Sequence, residues 1–203
     1  MTASYTEGHS DPTVQPVPAS VVERVDAADT TLQNPKRAVL SLGSNLGNRL
    51  ETLQGAVDAL EDTPGVRVKA VSPVYETEPW GVEPGSQPTY LNAVVVLRTT
   101  LPPSSLLERA HAVEEAFDRV RDERWGARTI DVDIVAYADV VSDDPVLTLP
   151  HPHAHERAFV LAPWHDVEPE AQLPGRGPVA QLLAGVGQDD VTPRADLELH
   201  LPE

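Results

Sequence analysis

The chain has 203 residues, enough for one ordinary domain with tails and a real hydrophobic core. Its formal net charge of −17 argues against a general nucleic-acid binder or a partner of anionic membranes. It has no cysteine, hence no disulfide framework and no thiol chemistry, and no apolar run approaches a membrane span. The N-terminus MTASYTEGHSDP lacks the basic and apolar regions of a secretory signal, so a soluble, cytoplasmic protein is expected.

Residues 1–35 are polar and aperiodic and read as a disordered leader. From Arg37 the character changes. Ala38 to Leu42 reads as a strand, followed by the turn Gly43-Ser44-Asn45-Leu46-Gly47-Asn48 and a helix with Leu46, Leu50, Leu53, Val57 and Leu60 on one stripe. That turn has the look of a phosphate cradle but lacks a P-loop's Gly-Lys-Ser/Thr ending, which favours a tight strand-to-helix turn with an Asn cap. Val66 to Tyr75 reads as a second strand, with Val66, Val68 and Ala70 alternating. The proline- and glycine-rich stretch from Glu76 to Thr89 has no period, and a loop that long inside a domain points to function.

Leu91 to Leu97 reads as a third strand on which the facing of Asn92 is left open by the pattern. A second helix opens after Pro102-Pro103, with Ser105 and Glu108 placed as a capping box, a stripe of Leu106, Ala110, Val113 and Phe117, and His111 and Glu114 on a shared flank. Next comes RVRDERWGARTIDVDI, residues 119–134, with four arginines (Arg119, Arg121, Arg124, Arg128) in a chain that has only 15 Lys+Arg. Its end, 129–137, reads as a fourth strand with Ile130, Val132, Ile134 and Ala136 on one face and Asp131 and Asp133 on the other. Two residues of strand rise about 6.6 Å, so both carboxylates point one way at a spacing that suits divalent cations. Arginine forks beside such a pair suit a polyphosphate. The plain alternative is a solvent face with surface ion pairs, which contribute little.

The element order, strand-helix-strand-strand-helix-strand, predicts an α+β ferredoxin-like βαββαβ sandwich: a four-stranded antiparallel sheet with both helices on one face and the other face free. The domain is expected over 36–175, with a short apolar helix around Phe159–Trp164, and 176–203 as a loosely packed acidic C-terminal extension. His151, His153 and His155 invite a zinc reading, but Pro152 makes the segment irregular. A histidine beside Arg157 donating to phosphate is favoured, with His153 and His155 as surface residues. Trp125, set between arginines, suits stacking on a planar ligand.

These motifs together resemble the 6-hydroxymethyl-7,8-dihydropterin pyrophosphokinase family over about residues 37–175. The resemblance rests on LSLGSNLGNR at 40–49, Val71 to Pro79, Pro88 to Ala93, the arginine segment with its Asp pair, LTLPHPH at 147–153 and Glu156 to Phe159. The chain departs from the family pattern at Asp118, Ala127 and Pro152. The resemblance implies transfer of diphosphate from ATP to a pterin alcohol with AMP leaving, a folate-pathway step, on a fold with three mobile loops. It also implies two Mg²⁺ held by Asp131 and Asp133, which with Arg119 and Arg128 are the catalytic candidates. ATP would be met by His111, Glu114, Arg119, Arg121, Arg124, Arg128, Ile134, Thr148, His151 and Arg157. The pterin would lie among Thr77, Pro79, Trp80, Tyr90, Asn92, Trp125 and Phe159. Only small-molecule partners are implied, and a monomer is expected. Competing readings are an RNA-binding or regulatory ferredoxin-like module and an Asp-x-Asp nucleotidyltransferase that would release pyrophosphate.

Overall fold

A computed structural model of the chain describes residues 34–79, 87–117 and 129–202, and its compact unit begins at Pro35. The leader and the arginine segment 118–128 lie outside the described residues.

The sheet is built around β1 (Lys36–Ser44), whose central residues are almost completely buried. On one side β1 pairs antiparallel with β5 (Asp131–Tyr137), the outer strand, and on the other with β4 (Tyr90–Thr99). The far edge of β4 is shared by β2 (Val66–Val71) and β3 (Tyr75–Thr77). Counting β2 and β3 as one interrupted strand gives the 4-1-3-2 antiparallel order of a ferredoxin-like sheet. The single strand expected over 66–75 is thus broken. Pro73 has no N–H to donate to the ladder, and at the break the Ser72 hydroxyl, in place of a backbone carbonyl, accepts the Val94 N–H at 2.8 Å.

Two helices, α1 (Arg49–Glu61) and α2 (Pro103–Ala116), cover one face as expected. Leu53, Val57 and Leu60 of α1 and Leu106, Ala110 and Val113 of α2 bury against Leu40, Leu42, Val95, Leu97, Val132 and Ile134. The expected Asn cap of α1 is Asn48, whose side chain accepts the Glu51 N–H, and Leu46 stands outside the helix, partly exposed. The Ser105–Glu108 capping box is not used. Helix α2 starts three residues earlier, capped at Pro102 with Pro103 as its first residue, where proline's fixed φ suits the first turn and its missing N–H is no loss.

The opposite face is not free, and this corrects the sequence expectation. A second apolar layer covers one end of it, formed by α3 (Ala158–Val167) and α4 (Val179–Val186), which follows the small β6–β7 hairpin (Gln172–Leu173 and Gly177–Pro178). Trp164, Leu161, Val160 and Leu183 pack there on Val39, Val94, Val135 and Ala136. Ala136 belongs to this face, not to the face of Ile134, because the pairing of β5 with β1 shifts between Val39 and Leu40 and a bulge resets the alternation. Nor is the C-terminal segment loosely packed: β8 (Val191–Pro193) pairs with β3, and Leu199 joins the helix-side core. Gln54 of α1 exchanges two hydrogen bonds with the His200 backbone, which fastens the segment end. These contacts are nonlocal, so the pattern within the segment gave no sign of them.

The new layer is locked at its edge by Glu168. Its carboxylate accepts from the Arg37 guanidinium and from the Trp164 indole N–H at 2.9 Å, while Arg37 lies 5.7 Å over the indole ring centre. Burial works against ionisation of Glu168, but the Arg37 and Trp164 donors outweigh it and hold the carboxyl below its ordinary value. A depressed carboxyl contributes stability above its unfolded value and loses it as pH falls through the folded one. Glu168→Gln is therefore expected to lower stability by about 1–2 kcal/mol near neutral pH, with the difference from wild type closing as pH falls below the ordinary carboxylate range. Thermal melts across that range check it. No described helix is long and apolar enough to cross a membrane.

Candidate active site

Helix α3 covers only one end of the second face, and the residues singled out from sequence collect at the other. Strand register places Asp131 opposite Gly43, Gly43 opposite Asn92, and Asn92 opposite Tyr75, in one row across β5, β1, β4 and β3. Directly opposed residues share a face, so Asn92 lies on the aspartate side and its facing is settled. Gly43 lets the row close up: a Cβ there would stand 3.2 Å from the Asn92 side-chain oxygen and 3.6 Å from the Tyr90 ring. By pattern alone this glycine reads as part of a turn. A glycine within a buried strand is the signal of close approach that was available. Asn92, 4% exposed, donates to the Thr77 hydroxyl at 2.8 Å, which orients its amide. Thr77, Arg157 and Phe159 share the lining of a cleft of about 210 Å³, with Val186 and Val191 from the C-terminal segment. Pro79 is buried and Tyr90 half-buried.

Asp131 and Asp133 are both half-buried at the β5 end of this region. One Asp133 oxygen has Arg157 Nη1 at 3.8 Å and His151 Nε2 at 3.9 Å, distances of charge neighbours rather than of hydrogen bonds. His151 is fixed at both backbone and ring: its backbone N–H donates to the Val135 carbonyl at 2.9 Å, and its ring Nδ1 accepts the His153 backbone N–H at 3.1 Å. In the neutral ring the proton then sits on Nε2, facing Asp133. Burial, helped by the charges of Arg157 and His153 and opposed by Asp131, pushes the His151 pKa down to about 4. It is a neutral donor at physiological pH. His153 and His155 turn instead toward Glu156, at 3.8 and 3.3 Å, so the three imidazoles do not converge. Arg157 flanks the N-terminus of α3 and lies 5.6 Å over the Phe159 ring centre, pairing a phosphate-type donor with an aromatic wall.

Glu114 is 2% exposed, and one oxygen accepts the Val132 N–H at 3.0 Å. Since β5 is the outer strand, this carboxylate from α2 caps an edge N–H between the two aspartates and holds their backbone in place. His111 lies one turn earlier on the same helix, and Thr148 donates to the Asp144 carbonyl at 3.1 Å. The Ile134 side chain is in the helix-side core, which leaves only its backbone for a ligand. Trp80, Arg119, Arg121, Arg124, Trp125 and Arg128 lie outside the described residues.

Two hard carboxylate oxygens on one half-open strand face fit a magnesium ion, which takes one or two carboxylates and fills its shell with water and phosphate. A ferredoxin-like sheet carrying an acid pair, a neutral imidazole and an arginine at one open end offers the charges and donors that a phosphate group needs, the arrangement expected of a phosphate-handling enzyme. The family model for 7,8-dihydro-6-hydroxymethylpterin-pyrophosphokinase (HPPK) matches residues 39–169. The chain is 44% identical over 149 residues to the 2-amino-4-hydroxy-6-hydroxymethyldihydropteridine pyrophosphokinase of Pseudomonas aeruginosa, covering 73% of this chain and 91% of that one. It is 46% identical over 139 residues to the enzyme of the same name from Methylorubrum extorquens, covering 68% and 87%. Among solved structures it resembles a Plasmodium falciparum HPPK-DHPS triple mutant with pteroate, at a TM-score of 0.62 and 15% identity, a likeness of fold. That match covers 79% of this chain, which spans about half (47%) of the Plasmodium chain. The chain belongs to the 7,8-dihydro-6-hydroxymethylpterin pyrophosphokinase family and is a transferase of the pyrophosphokinase type, acting in folate biosynthesis.

Proposed function

We propose that the chain transfers diphosphate from ATP to the hydroxymethyl oxygen of 6-hydroxymethyl-7,8-dihydropterin, with AMP leaving. The observation that carries this reading is the row Asp131–Gly43–Asn92. Its ends are two interstrand spacings apart, roughly 10 Å, a span that suits a fused bicyclic ring with its polar edge at Asn92 and its alcohol toward Asp131. Thr77 orients the Asn92 amide, and Tyr90 and Phe159 supply flat walls for the ring, joined in this reading by Trp80 and Trp125. Buried Pro79, two residues after Thr77, would complete the pterin side in this reading. Arg157 and neutral His151 donate to phosphate oxygens, and His111, Thr148 and the Ile134 backbone complete the nucleotide side. Arg119, Arg121, Arg124 and Arg128 add the charge that a polyphosphate demands.

In the reaction the alcohol oxygen attacks the β-phosphorus, the bond from that phosphorus to the α–β bridging oxygen breaks, and the hydroxyl proton leaves to solvent. Asp131 and Asp133 would hold magnesium, which when bound neutralises phosphate charge. The chain's own contribution is position and fixed charge: an alcohol held in line, donors already oriented, and an acid pair whose backbone Glu114 keeps in place. The catalytic unit begins near residue 36 and includes the C-terminal segment that pairs with β3.

The test is to incubate the protein with ATP, Mg²⁺ and the pterin alcohol and to separate the products on a column. AMP and pterin diphosphate in equal amounts are expected. Release of pyrophosphate in place of AMP would overturn the reading in favour of nucleotidyl transfer.

A further inference from the structure

Behind the substrate row, on the opposite side of β3, a second polar cluster joins four separate parts of the chain. Glu76 lies between Tyr75 and Thr77, so its side chain leaves β3 on the face away from Thr77. One carboxylate oxygen accepts from Arg49 Nη1, the first residue of α1, at 2.9 Å, and from the Thr89 hydroxyl at 2.8 Å. The same Arg49 nitrogen reaches the Thr89 carbonyl and hydroxyl, both at 2.8 Å. The other Glu76 oxygen accepts from Arg194 Nη1 at 2.6 Å, and Arg194 is itself forked onto Asp196 and donates its backbone N–H to the Val74 carbonyl. Thr89 precedes Tyr90, and Thr77 is the last residue before the connection from β3 to β4. The cluster therefore ties the end of β3 to the start of β4, beside the pocket that Thr77 lines. Asn45 adds a tie to the same end through the Pro88 carbonyl at 3.3 Å.

We propose that Glu76 is a positioning residue for the pterin pocket: by binding Arg49, Thr89 and Arg194 together it sets the spacing between Thr77 on β3 and Tyr90 and Asn92 on β4. The inference rests on the reading of that pocket as the pterin site. The 2.8 Å bond from Asn92 to Thr77 crosses the same pair of strands that Glu76 ties from behind. A side-chain hydrogen bond tolerates only a few tenths of an ångström, so slippage of β3 against β4 would misdirect the Asn92 amide. The Thr89 hydroxyl above all, then Arg49 and Arg194, holds the Glu76 carboxyl below its ordinary value against the effect of burial, so the clamp is ionised at neutral pH. Arg194 lies beyond the 39–169 stretch that the family model matches, which gives the C-terminal segment a part in substrate recognition.

The test is steady-state kinetics of Glu76→Ala and Glu76→Gln, with pterin alcohol and ATP varied in turn, alongside direct pterin binding read from the pterin's own fluorescence. Glu76→Ala is expected to raise the pterin KM and Kd by ~10-fold with kcat and the ATP KM little changed, because the misplaced group lies in the pocket and not at the phosphates. Glu76→Gln, which keeps one accepting oxygen, should fall between Ala and wild type. A merely structural role would instead lower the folded fraction, and with it apparent kcat, at unchanged KM. If Glu76→Ala does not fold, Thr89→Val, which keeps the size and removes the hydroxyl, takes its place with an expected rise of ~3–5-fold. Unchanged pterin affinity in the folded variant, or an equal rise for ATP, overturns the inference. If wild type binds the pterin and makes no AMP, the proposed reaction fails while the binding arm still judges Glu76. If wild type binds no pterin, both fall.

Discussion

Asp131→Asn and Asp133→Asn are each expected to reduce AMP formation by ~10³-fold or more while leaving the protein folded. The two carboxylates project from one strand face at the open end of the sheet, half-buried, with Arg157 and neutral His151 grouped near one oxygen of Asp133. An amide in place of either carboxylate keeps the shape and removes a full negative charge and a hard ligand atom. The consequence for stability is small. Two like charges two residues apart oppose each other, and interactions of half-exposed groups are weak, so the change should stay within about 1 kcal/mol of wild type in either direction. Glu114, not the aspartates, holds the backbone here, through the Val132 N–H. AMP release, thermal melting, and the melting shift caused by Mg²⁺ with a non-hydrolysable ATP analogue should be measured on the same proteins. The variants should lose the Mg²⁺-dependent shift together with activity. Normal AMP release from either would make these residues ordinary solvent-face aspartates.

The largest loss of stability is expected at Trp164. Trp164→Ala should cost ~3–5 kcal/mol, the range for truncating a fully buried large aromatic. Trp164 is 0% exposed within the layer formed by α3 and α4 over Val39, Val94 and Val135. Its truncation also removes the indole donor to Glu168 and the surface on which Arg37 rests. Trp164→Phe fills much of the same space and loses the hydrogen bond, so it should cost about 1–2 kcal/mol. Denaturant unfolding of both variants, read with the wild-type slope, separates the packing contribution from the polar one. A Trp164→Ala protein as stable as wild type would mean that the second layer is not part of the core.

Much of the architecture was legible in the chain because local periodicity reports burial on one face. The stripes of α1 and α2, and the alternation of Val132 and Ile134 with Asp131 and Asp133, place helices on one side and acids on the other. The motifs from Leu40 to Phe159, taken in order, carried the family and with it the chemistry. What periodicity does not carry is register. Asn92 has the same parity as Val94 whichever way the strand faces, and only its pairing with Gly43 and Tyr75 brings it beside Thr77 and in line with Asp131. The bulge near Val135 likewise has no local mark, since Ile134, Val135 and Ala136 are all apolar. Unbroken apolar runs such as Val94-Val95-Val96 do signal burial on both faces, but not which segment supplies the second cover. Glu114 shows the same limit: helix spacing puts it on a flank, while its partner, the Val132 N–H, lies 18 residues away. The sequence by itself determined the elements, the helix-side core and the family, because those depend on neighbours within a turn or a strand. The tertiary structure alone decided the second layer, the docking of the C-terminal segment and the Glu76 clamp. Each of these joins residues tens of positions apart, whose hydrogen bonds exist only once the sheet has set its register.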